Sequence, residues 1–147
     1  ELNTTERAAQ WRDWLASGQT QALIAHDENN NPAGFISFGT LRTPPPGLSP
    51  IRPLYSAEIY AIYILPTYWR QGLGRQLLHE AALKLKEMKH SSLCLWVIEK
   101  NRRALDFYKA LGGERCGSRE IDVGGTKLKE LAIGWRKTQP LMTEKTP

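Results

Sequence analysis

The segment from Tyr55 to Lys89 constrains the fold most strongly, because a strand, a turn and a helix follow one another within it. Residues 55–65 (YSAEIYAIYIL) are rich in aromatic and β-branched side chains, which predicts a buried strand that Pro66 ends. Strict alternation would place on one face of this strand Glu58, Tyr60, Ile62 and Ile64, and on the other Ile59, Ala61, Tyr63 and Leu65. Leucines then recur at helical spacing up to about Lys89. A strand that leads into an amphipathic helix indicates a sheet with helices packed on it.

The rest of the chain alternates between hairpins and strand–helix crossovers. A helix is expected over 4–17, where an apolar stripe is formed by Trp11, Trp14 and Leu15. A further helix is expected over 101–111, and strands over 22–26, 33–41, 93–98, 114–123 and 127–135. Residues 43–53 hold five prolines and predict an extended loop, and the tail after Lys137 is expected to fray. The expected fold class is α/β (α+β), with a mixed, mostly antiparallel sheet flanked by helices.

Composition excludes several classes of protein. A chain of 147 residues is expected to form one domain over 1–147. No apolar run approaches the roughly 18 residues of a membrane span, and no apolar stretch follows a basic start as in a secretory signal. Cys94 and Cys116 lack metal-ligand spacing. We therefore expect two reduced thiols in a cytoplasmic protein without a metal site.

Charge is distributed unevenly along the chain. Residues 1–66 carry four basic and six acidic side chains, whereas residues 67–147 carry sixteen basic and nine acidic ones. A basic half favours a polyanionic partner, such as nucleic acid, an anionic membrane or a phosphate-rich cofactor. Charge alone does not choose among these three.

The turn before the central helix has a pattern that suits an anion. In residues 70–75 (RQGLGR), two glycines stand between two arginines at a helix start. The first turn of a helix leaves its N–H groups unpaired, and glycines let a ligand approach the backbone. A phosphate or pyrophosphate is the guest that this arrangement favours. A simple tight turn remains the alternative, since neither the three-glycine dinucleotide pattern nor a Walker lysine is present.

Two longer stretches resemble the motifs of one enzyme family. Residues 58–66 and 68–78 (EIYAIYILP and YWRQGLGRQLL) closely resemble the acetyl-CoA motif of the GNAT N-acetyltransferase superfamily. Residues 95–112 (LWVIEKNRRALDFYKALG) resemble its second motif, with a strand, an Asn-x-x-Ala helix start and Phe-Tyr before a glycine. The resemblance covers about residues 20–136 and is to the small, single-domain, bacterial-type members.

The resemblance implies which residues would hold acetyl-CoA. Backbone groups of Ile62, Tyr63 and Ile64 would pair with the pantetheine arm. The amides of the turn would hold the pyrophosphate, and the implied contacts are Arg70, Gln71, Gly72, Leu73, Gly74, Arg75, Asn101, Ala104 and Tyr108. A backbone N–H near Ile64 or Leu65 would polarise the thioester carbonyl.

The resemblance also implies catalytic groups. Tyr108 matches the tyrosine that protonates the leaving thiolate, although it could instead be a core aromatic residue beside Phe107. The amine must attack as the free base, so a general base is needed. Glu58, a carboxylate in an apolar strand, is the expected base, unless it is merely solvated at an exposed strand start. Glu99 is the second candidate, and the histidines are expected to be structural or at the surface.

The chain departs from the family pattern in two places. Family members usually carry Arg or Gln three positions before the first motif glycine, where this chain has Trp69. Main-chain amides would do most of the phosphate binding, so binding is expected to survive this change. The family's first strand and first helix are also not found, and the helix expected over 4–17 would be the family's second.

The expected function is acetyl-CoA-dependent N-acetyltransfer to a primary amine in a ternary complex. A non-catalytic acyl-CoA-binding module is the alternative, and a nucleic-acid-binding domain is less favoured because no such motif occurs. The acceptor is expected to be a small-molecule or peptide amine. Arg42 and Arg52 favour an acceptor that also carries an anionic group. A homodimer stays open, and neither nucleic acid nor a membrane is an expected partner.

Overall fold

The structure is a computed structural model that describes residues 10–17, 20–42 and 55–142. Its strands are β1 (Gln10–Ser17), β2 (Thr20–His26), β3 (Pro32–Thr40), β4 (Ala57–Ile64), β5 (Leu93–Ile98), β6 (Glu114–Val123) and β7 (Thr126–Trp135). Its helices are α1 (Leu73–Glu87), α2 (Arg102–Ala110) and α3 (Gln139–Met142), and Pro66–Tyr68 form a 3-10 turn. Each strand and helix that the sequence predicts between residues 20 and 135 is present. Among the described helices, none is long and apolar enough to cross a lipid bilayer.

One sheet of seven strands forms the framework, in the order β1-β2-β3-β4-β5-β7-β6. Neighbouring strands run antiparallel except β4 and β5, which are parallel. The helix α1 connects these two strands, because a parallel pair needs a crossover rather than a hairpin. The predicted mixed, mostly antiparallel sheet flanked by helices is confirmed.

The main core lies between α1 and one face of the sheet. Helical spacing places the apolar residues of α1 in one buried stripe, which comprises Leu73, Leu77, Leu78, Ala81, Ala82 and Leu85. Sheet residues in the same core include Ile36, Phe38, Ile59 and Leu93. We call the opposite side of the sheet the outer face. It carries a smaller apolar cluster formed by Tyr55, Cys94 and Ala132.

The first described segment corrects one prediction. Residues 10–17 form β1 and pair antiparallel with β2, whereas a helix is predicted there from the spacing of Trp11, Trp14 and Leu15. A short helix has little stability of its own, while a strand at this position closes a local hairpin and pairs the edge of β2. Tryptophan also suits a strand. The predicted family helix is therefore wrong over 10–17, and its remaining residues 4–9 lie outside the described residues.

A β-bulge in β4 corrects the predicted alternation. Ser37 of β3 pairs with Ala61 of β4. The next residue, Phe38, pairs with Ile59, so Tyr60 is an extra residue in the ladder. The residues of β4 that contact the main core are consequently Ala57, Ile59, Ile62 and Ile64. The residues opposite the outward-facing positions of β3 are Glu58, Ala61 and Tyr63. Strict alternation predicts that Glu58 shares a face with Ile62 and Ile64. The bulge instead places Glu58 on the opposite face from these two residues.

The residues after β7 form the ordered helix α3, although the sequence predicts a frayed tail from Lys137. Leu141 is buried in the main core, and its carbonyl oxygen lies 3.1 Å from Nδ1 of His79 in α1. The buried Leu141 thus helps to hold the segment against α1. The proline-rich loop predicted over 43–53 lies outside the described residues, and so do residues 143–147.

Candidate active site

The turn before α1 presents a row of main-chain N–H groups. Gly72 is the N-cap of α1 and has a φ of 81°. Because glycine has no side chain, no side-chain oxygen at this position caps the helix. The Gln76 N–H donates to the Gly72 carbonyl, so the N–H groups of residues 73–75 have no acceptor within the helix. These groups form the positive end of the helix dipole. The geometry suits the anion that the RQGLGR pattern predicts.

The backbone of this turn is bent so that it can be approached closely. Arg70 has a φ of 66° and Gly72 a φ of 81°, and the left-handed conformation costs a non-glycine residue about 1–2 kcal/mol. Gly74 serves a different purpose, because a Cβ atom there would lie 3.3 Å from Cζ of Phe107 in α2. Gly72 therefore shapes the turn, and Gly74 lets α2 pack against the start of α1.

A cleft opens between β4 and β5 next to this turn. The two strands pair only at their beginnings, where Ala57 is opposite Leu93 and Glu58 is opposite Cys94. Further along, β5 continues to pair with β7 and β4 with β3. Past Glu58, the free side of β4 is thus paired with no described strand. We call this opening the β4–β5 cleft.

The register of β4 decides which of its main-chain groups face the cleft. The Leu65 N–H donates to the Ala33 carbonyl of β3 at 2.9 Å. Because an antiparallel ladder alternates, Tyr63 also directs its N–H and C=O towards β3. The residues between, Ile62 and Ile64, direct theirs into the cleft. Ile62 and Ile64 are therefore placed to offer main-chain groups to a ligand in the cleft, and their pairing with a pantetheine arm stays a prediction.

The same register corrects two expected roles. The Tyr63 carbonyl lies close to β3, because a Cβ atom on Gly34 would be only 2.7 Å from it. Tyr63 thus cannot offer its backbone to a ligand in the cleft, and its side chain is 50% exposed on the outer face. The Leu65 N–H is occupied by Ala33, so it is not free to polarise a carbonyl.

Trp69, which replaces the family's Arg or Gln, connects β4 to α2. Its Nε1–H donates to the Ile64 carbonyl at 2.8 Å. The guanidinium carbon of Arg103 lies 3.9 Å from the centre of the Trp69 ring, a cation–π contact. The indole therefore fixes one of the main-chain groups that face the cleft and holds an arginine beside the 70–75 turn.

The start of α2 lies beside the same turn and is also basic. The Ala104 N–H donates to Asn101 Oδ1 at 3.2 Å, which confirms Asn101 as the predicted N-cap. This bond occupies the Ala104 N–H. The first turn of α2 has no acidic residue and carries Arg102 and Arg103. Cations are unfavourable at a helix N-terminus, so this end of α2 favours an anionic ligand.

Tyr108 is enclosed in the main core of the protein. Only 6% of its surface is exposed, and its ring lies 5.2 Å from that of Phe107 and 6.2 Å from that of Trp135. Burial raises the pKa of Tyr108 to about 12. Within residues 20–42 and 55–142, no hydrogen-bond partner contacts its hydroxyl. The residue packs as a core aromatic and also retains a hydroxyl that can donate to a ligand.

Glu58 is buried at the closed end of the cleft, where β4 and β5 are still paired. It is 9% exposed, which contradicts the alternative of a solvated carboxylate at an exposed strand start. Its Oε1 accepts the Arg42 N–H at 3.1 Å. Burial raises the pKa of Glu58, although the Arg42 N–H and the positive charges of Arg42 and Arg119 act in the opposite direction. A carboxylate with a raised pKa is a stronger base than an ordinary one.

Comparison with known proteins identifies the chain. A sequence model of the Acetyltransferase (GNAT) family matches residues 1–112. The uncharacterized N-acetyltransferase YuaI of Bacillus subtilis is 36% identical over 142 residues, which make up 97% of this chain and 76% of that protein. The chain belongs to the GNAT acetyltransferase family. It is an N-acetyltransferase, and enzymes of this fold use acetyl-CoA as co-substrate.

Other relatives and solved structures agree with this family. The thialysine N-epsilon-acetyltransferase of Bos taurus is 40% identical over 75 residues, which cover 48% of this chain and 44% of that protein. NAA60 of Arabidopsis thaliana, solved with a bisubstrate analogue, superposes with a TM-score of 0.66 at 16% identity over 81% of this chain and 76% of that chain. A variant of the spermidine N-acetyltransferase SpeG of Vibrio cholerae superposes with a TM-score of 0.67 at 17% identity. The superposition covers 86% of this chain and 69% of that chain. At these identities the two structures support the fold alone.

The second candidate base of this GNAT enzyme lies at the surface. Glu99 Oε2 lies 3.8 Å from Nζ of Lys129, and both side chains are more than two-fifths exposed. The Glu99 N–H also donates to the Lys129 carbonyl. Glu99 is thus a surface residue that pairs β5 with β7. In the described ranges, no three His, Cys, Asp or Glu side chains are grouped as a metal site would require.

Three features of the GNAT site are missed by reasoning from sequence. The bulge at Tyr60 has no local pattern that reveals it. The Tyr68 hydroxyl donates to Asp27 Oδ2 at 2.6 Å and ties the 3-10 turn to the β2–β3 turn, a contact between distant parts of the chain. The stacking of Arg103 on Trp69 is also a long-range contact. The sequence offers one indication of a special role for Arg103. Two arginines directly follow the N-cap Asn101, where acidic residues are preferred.

Proposed function

We propose that this GNAT enzyme transfers an acetyl group directly from acetyl-CoA to a primary amine while both are bound. The observation that carries the proposal is the β4–β5 cleft. One end of it has helix N–H groups without an intrahelical acceptor, and the other has the buried carboxylate of Glu58. The first end suits a pyrophosphate, and the second suits an amine that must lose a proton.

The 70–75 turn binds the pyrophosphate of the cofactor mainly through its backbone. The N–H groups of residues 73–75 supply donors and the helix dipole supplies positive potential. Arg70 and Arg75 add charge, and so does the basic first turn of α2 beyond Asn101. Backbone donors do not depend on the side chain at position 69, which explains how a tryptophan is tolerated there.

The Ile64 N–H and the cleft-facing groups of Ile62 pair with the pantetheine arm, since the Ile64 carbonyl already accepts the Trp69 Nε1–H. The arm begins at the 70–75 turn and follows β4 back towards Glu58, so it passes Ile64 first and brings the thioester near Ile62. We therefore assign to the Ile62 N–H, instead of that of Ile64 or Leu65, the donor that polarises the thioester carbonyl. Removing one donor of this kind typically costs about 10²–10³-fold in rate.

Glu58 removes the proton that the amine loses when it attacks. Its burial raises its pKa, and the Arg42 N–H orients Oε1. An alkyl ammonium has a much higher pKa than a carboxylic acid, so Glu58 does not generate the neutral amine from the free ammonium ion. It accepts the proton that the neutral amine loses as its nitrogen bonds to the thioester carbon. A positioned base contributes about 10²–10⁴-fold.

Tyr108 stabilises the thiolate that leaves. Because burial raises its pKa to about 12, its hydroxyl stays protonated at neutral pH and can donate a hydrogen bond. An ordinary thiol has a pKa of about 8.5, so complete proton transfer from Tyr108 to the thiolate would be uphill. We therefore assign Tyr108 a hydrogen-bonding role, with the final proton supplied by solvent.

We infer that residues 1–147 act as a single acetyltransferase domain on a small-molecule or peptide amine. The names of two similar proteins support an amine acceptor, since one acts on thialysine and the other on spermidine. A homodimer in the cytoplasm stays a prediction.

The test combines calorimetric titration of CoA with thiol release from acetyl-CoA across a panel of primary amines. We expect saturable CoA binding and amine-dependent thiol release, with intersecting lines when both substrates are varied. Parallel lines would contradict direct transfer in a ternary complex. CoA binding without thiol release for any amine would instead support the alternative of a non-catalytic acyl-CoA-binding module.

A further inference from the structure

Two arginines of the outer face are stacked on aromatic rings, and they differ in their counter-charges. The guanidinium carbon of Arg119 lies 4.0 Å from the ring centre of Trp96, and its Nε binds Glu130 at 2.7 Å. The guanidinium carbon of Arg42 lies 3.5 Å from the ring centre of Tyr60. Among the described residues, no carboxylate forms an ion pair with Arg42. An exposed guanidinium with one covered face keeps its edges for a planar anion.

The position of Arg42 is fixed relative to the proposed base. The Tyr60 hydroxyl donates to the Thr40 carbonyl at 2.5 Å, which holds the ring on which Arg42 rests. The main-chain N–H of Arg42 donates to Glu58 Oε1 at 3.1 Å. One residue therefore orients the base through its backbone and presents a cation through its side chain.

We propose that the acceptor amine also carries a carboxylate, as an amino acid does, and that Arg42 binds this carboxylate while Glu58 receives the proton of the amine. The inference rests on the proposed function, since it concerns the acceptor of the same transfer. The sequence predicts only an acceptor with an anionic group. The structure favours Arg42 as the residue that binds it and a carboxylate as the group.

The charges of the outer face favour such an acceptor over a polyamine. Among the described residues, the charged side chains that act on Glu58 include two cations, Arg42 and Arg119, and one anion, Glu130. Because Glu130 pairs with Arg119, Arg42 is the one of these two cations that has no ion pair among the described residues. A polyamine would bring a second ammonium group towards this guanidinium, which is repulsive. An amino acid satisfies both groups, its amine at Glu58 and its carboxylate at Arg42.

The experiment compares amines that differ only by a carboxylate. The pairs are lysine with 1,5-diaminopentane, ornithine with 1,4-diaminobutane, and phenylalanine with 2-phenylethylamine. In at least one pair we expect the wild-type enzyme to have the higher kcat/KM for the amino acid. Arg42→Ala should reduce this preference by about ten- to a hundredfold, mainly through KM, because a charge-assisted hydrogen bond is lost. Arg42→Lys should retain part of it.

Two further variants keep the test decisive. Arg42→Met retains a long stem over Tyr60 and is used if Arg42→Ala does not fold. Arg115→Ala removes an exposed arginine of β6 and should keep the wild-type preference. Assays are run at the plateau of the pH profile, because loss of the Arg42 charge raises the pKa of Glu58.

The outcomes separate this inference from the function on which it rests. A preference for the carboxylate-free member in every active pair would overturn the inference alone. An equal loss for both members in Arg42→Ala would do the same, since Arg42 would then not recognise the carboxylate. No transfer to any member, with CoA still bound, would overturn both the inference and the proposed transfer.

Discussion

The cofactor side and the acceptor side of the β4–β5 cleft are built from different parts of the chain. On the proposed cofactor side, the groups that would bind are the main-chain N–H groups of residues 73–75, the Ile64 N–H and the cleft-facing groups of Ile62. On the acceptor side, the relevant groups are the side chains of Glu58 and Arg42. Backbone groups are present whatever the side chain, whereas a carboxylate or guanidinium is present only in particular residues.

This difference explains why the two sides tolerate change differently. On the proposed cofactor side, binding would depend on glycine and turn geometry, so it would not require an Arg or Gln at position 69. On the proposed acceptor side, a single substitution would remove the group that acts. A substitution on one side should therefore leave the binding or chemistry of the other side close to that of the wild type.

The largest effect is expected for Glu58→Gln. The amide keeps an oxygen that can accept the Arg42 N–H but cannot take a proton, so kcat/KM should fall by about 10²–10⁴-fold. The Kd for CoA should stay near the wild-type value, because the cofactor side is intact. Glu99→Gln makes the same chemical change at the surface and is the control. Full activity of Glu58→Gln would show that another base operates.

The same variant should alter stability with a defined dependence on pH. Burial raises the pKa of Glu58, so the folded state holds this proton to higher pH than the unfolded chain does. The contribution of Glu58 to stability is therefore greatest below the ordinary carboxyl pKa and declines as the pH rises through the raised value. Glu58→Gln should melt higher than wild type at pH 7–8, and the difference should shrink towards pH 4. A lower Tm of the variant at pH 7–8 would contradict the burial argument.

A smaller effect is expected for Tyr108→Phe. The hydroxyl has no described protein partner, so its loss should leave the Tm nearly unchanged. Loss of a hydrogen bond to a developing thiolate should lower kcat by about 10- to 100-fold. Since the pKa of Tyr108 is about 12, wild-type kcat should also show no loss from Tyr108 ionisation below about pH 10. Unchanged kcat in Tyr108→Phe would leave this residue as a core aromatic alone.

Gly72→Ala tests whether the turn geometry carries cofactor binding. Gly72 has a φ of 81°, and Gly125 in the β6–β7 turn has a φ of 85°, so alanine meets a similar backbone penalty at either position. Both variants should lose a similar amount of stability, about 1–2 kcal/mol. Only Gly72→Ala should weaken CoA binding, by about tenfold in Kd. Equal Kd values for the two variants would mean that the turn does not bind the cofactor.

The smallest effect is expected for Arg70→Ala. This side chain is exposed, and exposed charges are screened by salt. The Kd for CoA should rise only about two- to fivefold, and the difference should vanish at high ionic strength. A loss greater than that of Gly72→Ala would reverse the relative importance of side chain and backbone on the cofactor side.

Most of the fold and the geometry of the 70–75 turn can be predicted from sequence because both depend on local patterns. The strand over 55–65, the 70–75 turn and the N-cap Asn101 are each encoded by neighbouring residues. The strand at residues 10–17 is not encoded by local pattern, because pairing with β2 outweighs the helical spacing of its apolar residues. The bulge at Tyr60 also depends on β3, and it changes the face on which Ile62 and Ile64 lie.

The acceptor side depends on contacts that no local pattern reveals. Glu58 can be identified as a carboxylate in an apolar strand, but its burial and its bond to Arg42 depend on the neighbouring chain segment. The stacking of Arg42 on Tyr60 joins residues 18 positions apart in the sequence. Such contacts require the folded structure.

The central claim is that main-chain N–H groups after Pro66 hold the cofactor. It is tested most directly by titrating ¹⁵N-labelled protein with CoA and following every backbone amide by NMR. We expect the largest shifts at the amides of residues 72–75, with further shifts at Ile62 and Ile64 and little change at Tyr63 and Leu65, whose N–H groups face β3. Saturable CoA binding that leaves the amides of residues 72–75 unshifted would contradict the claim.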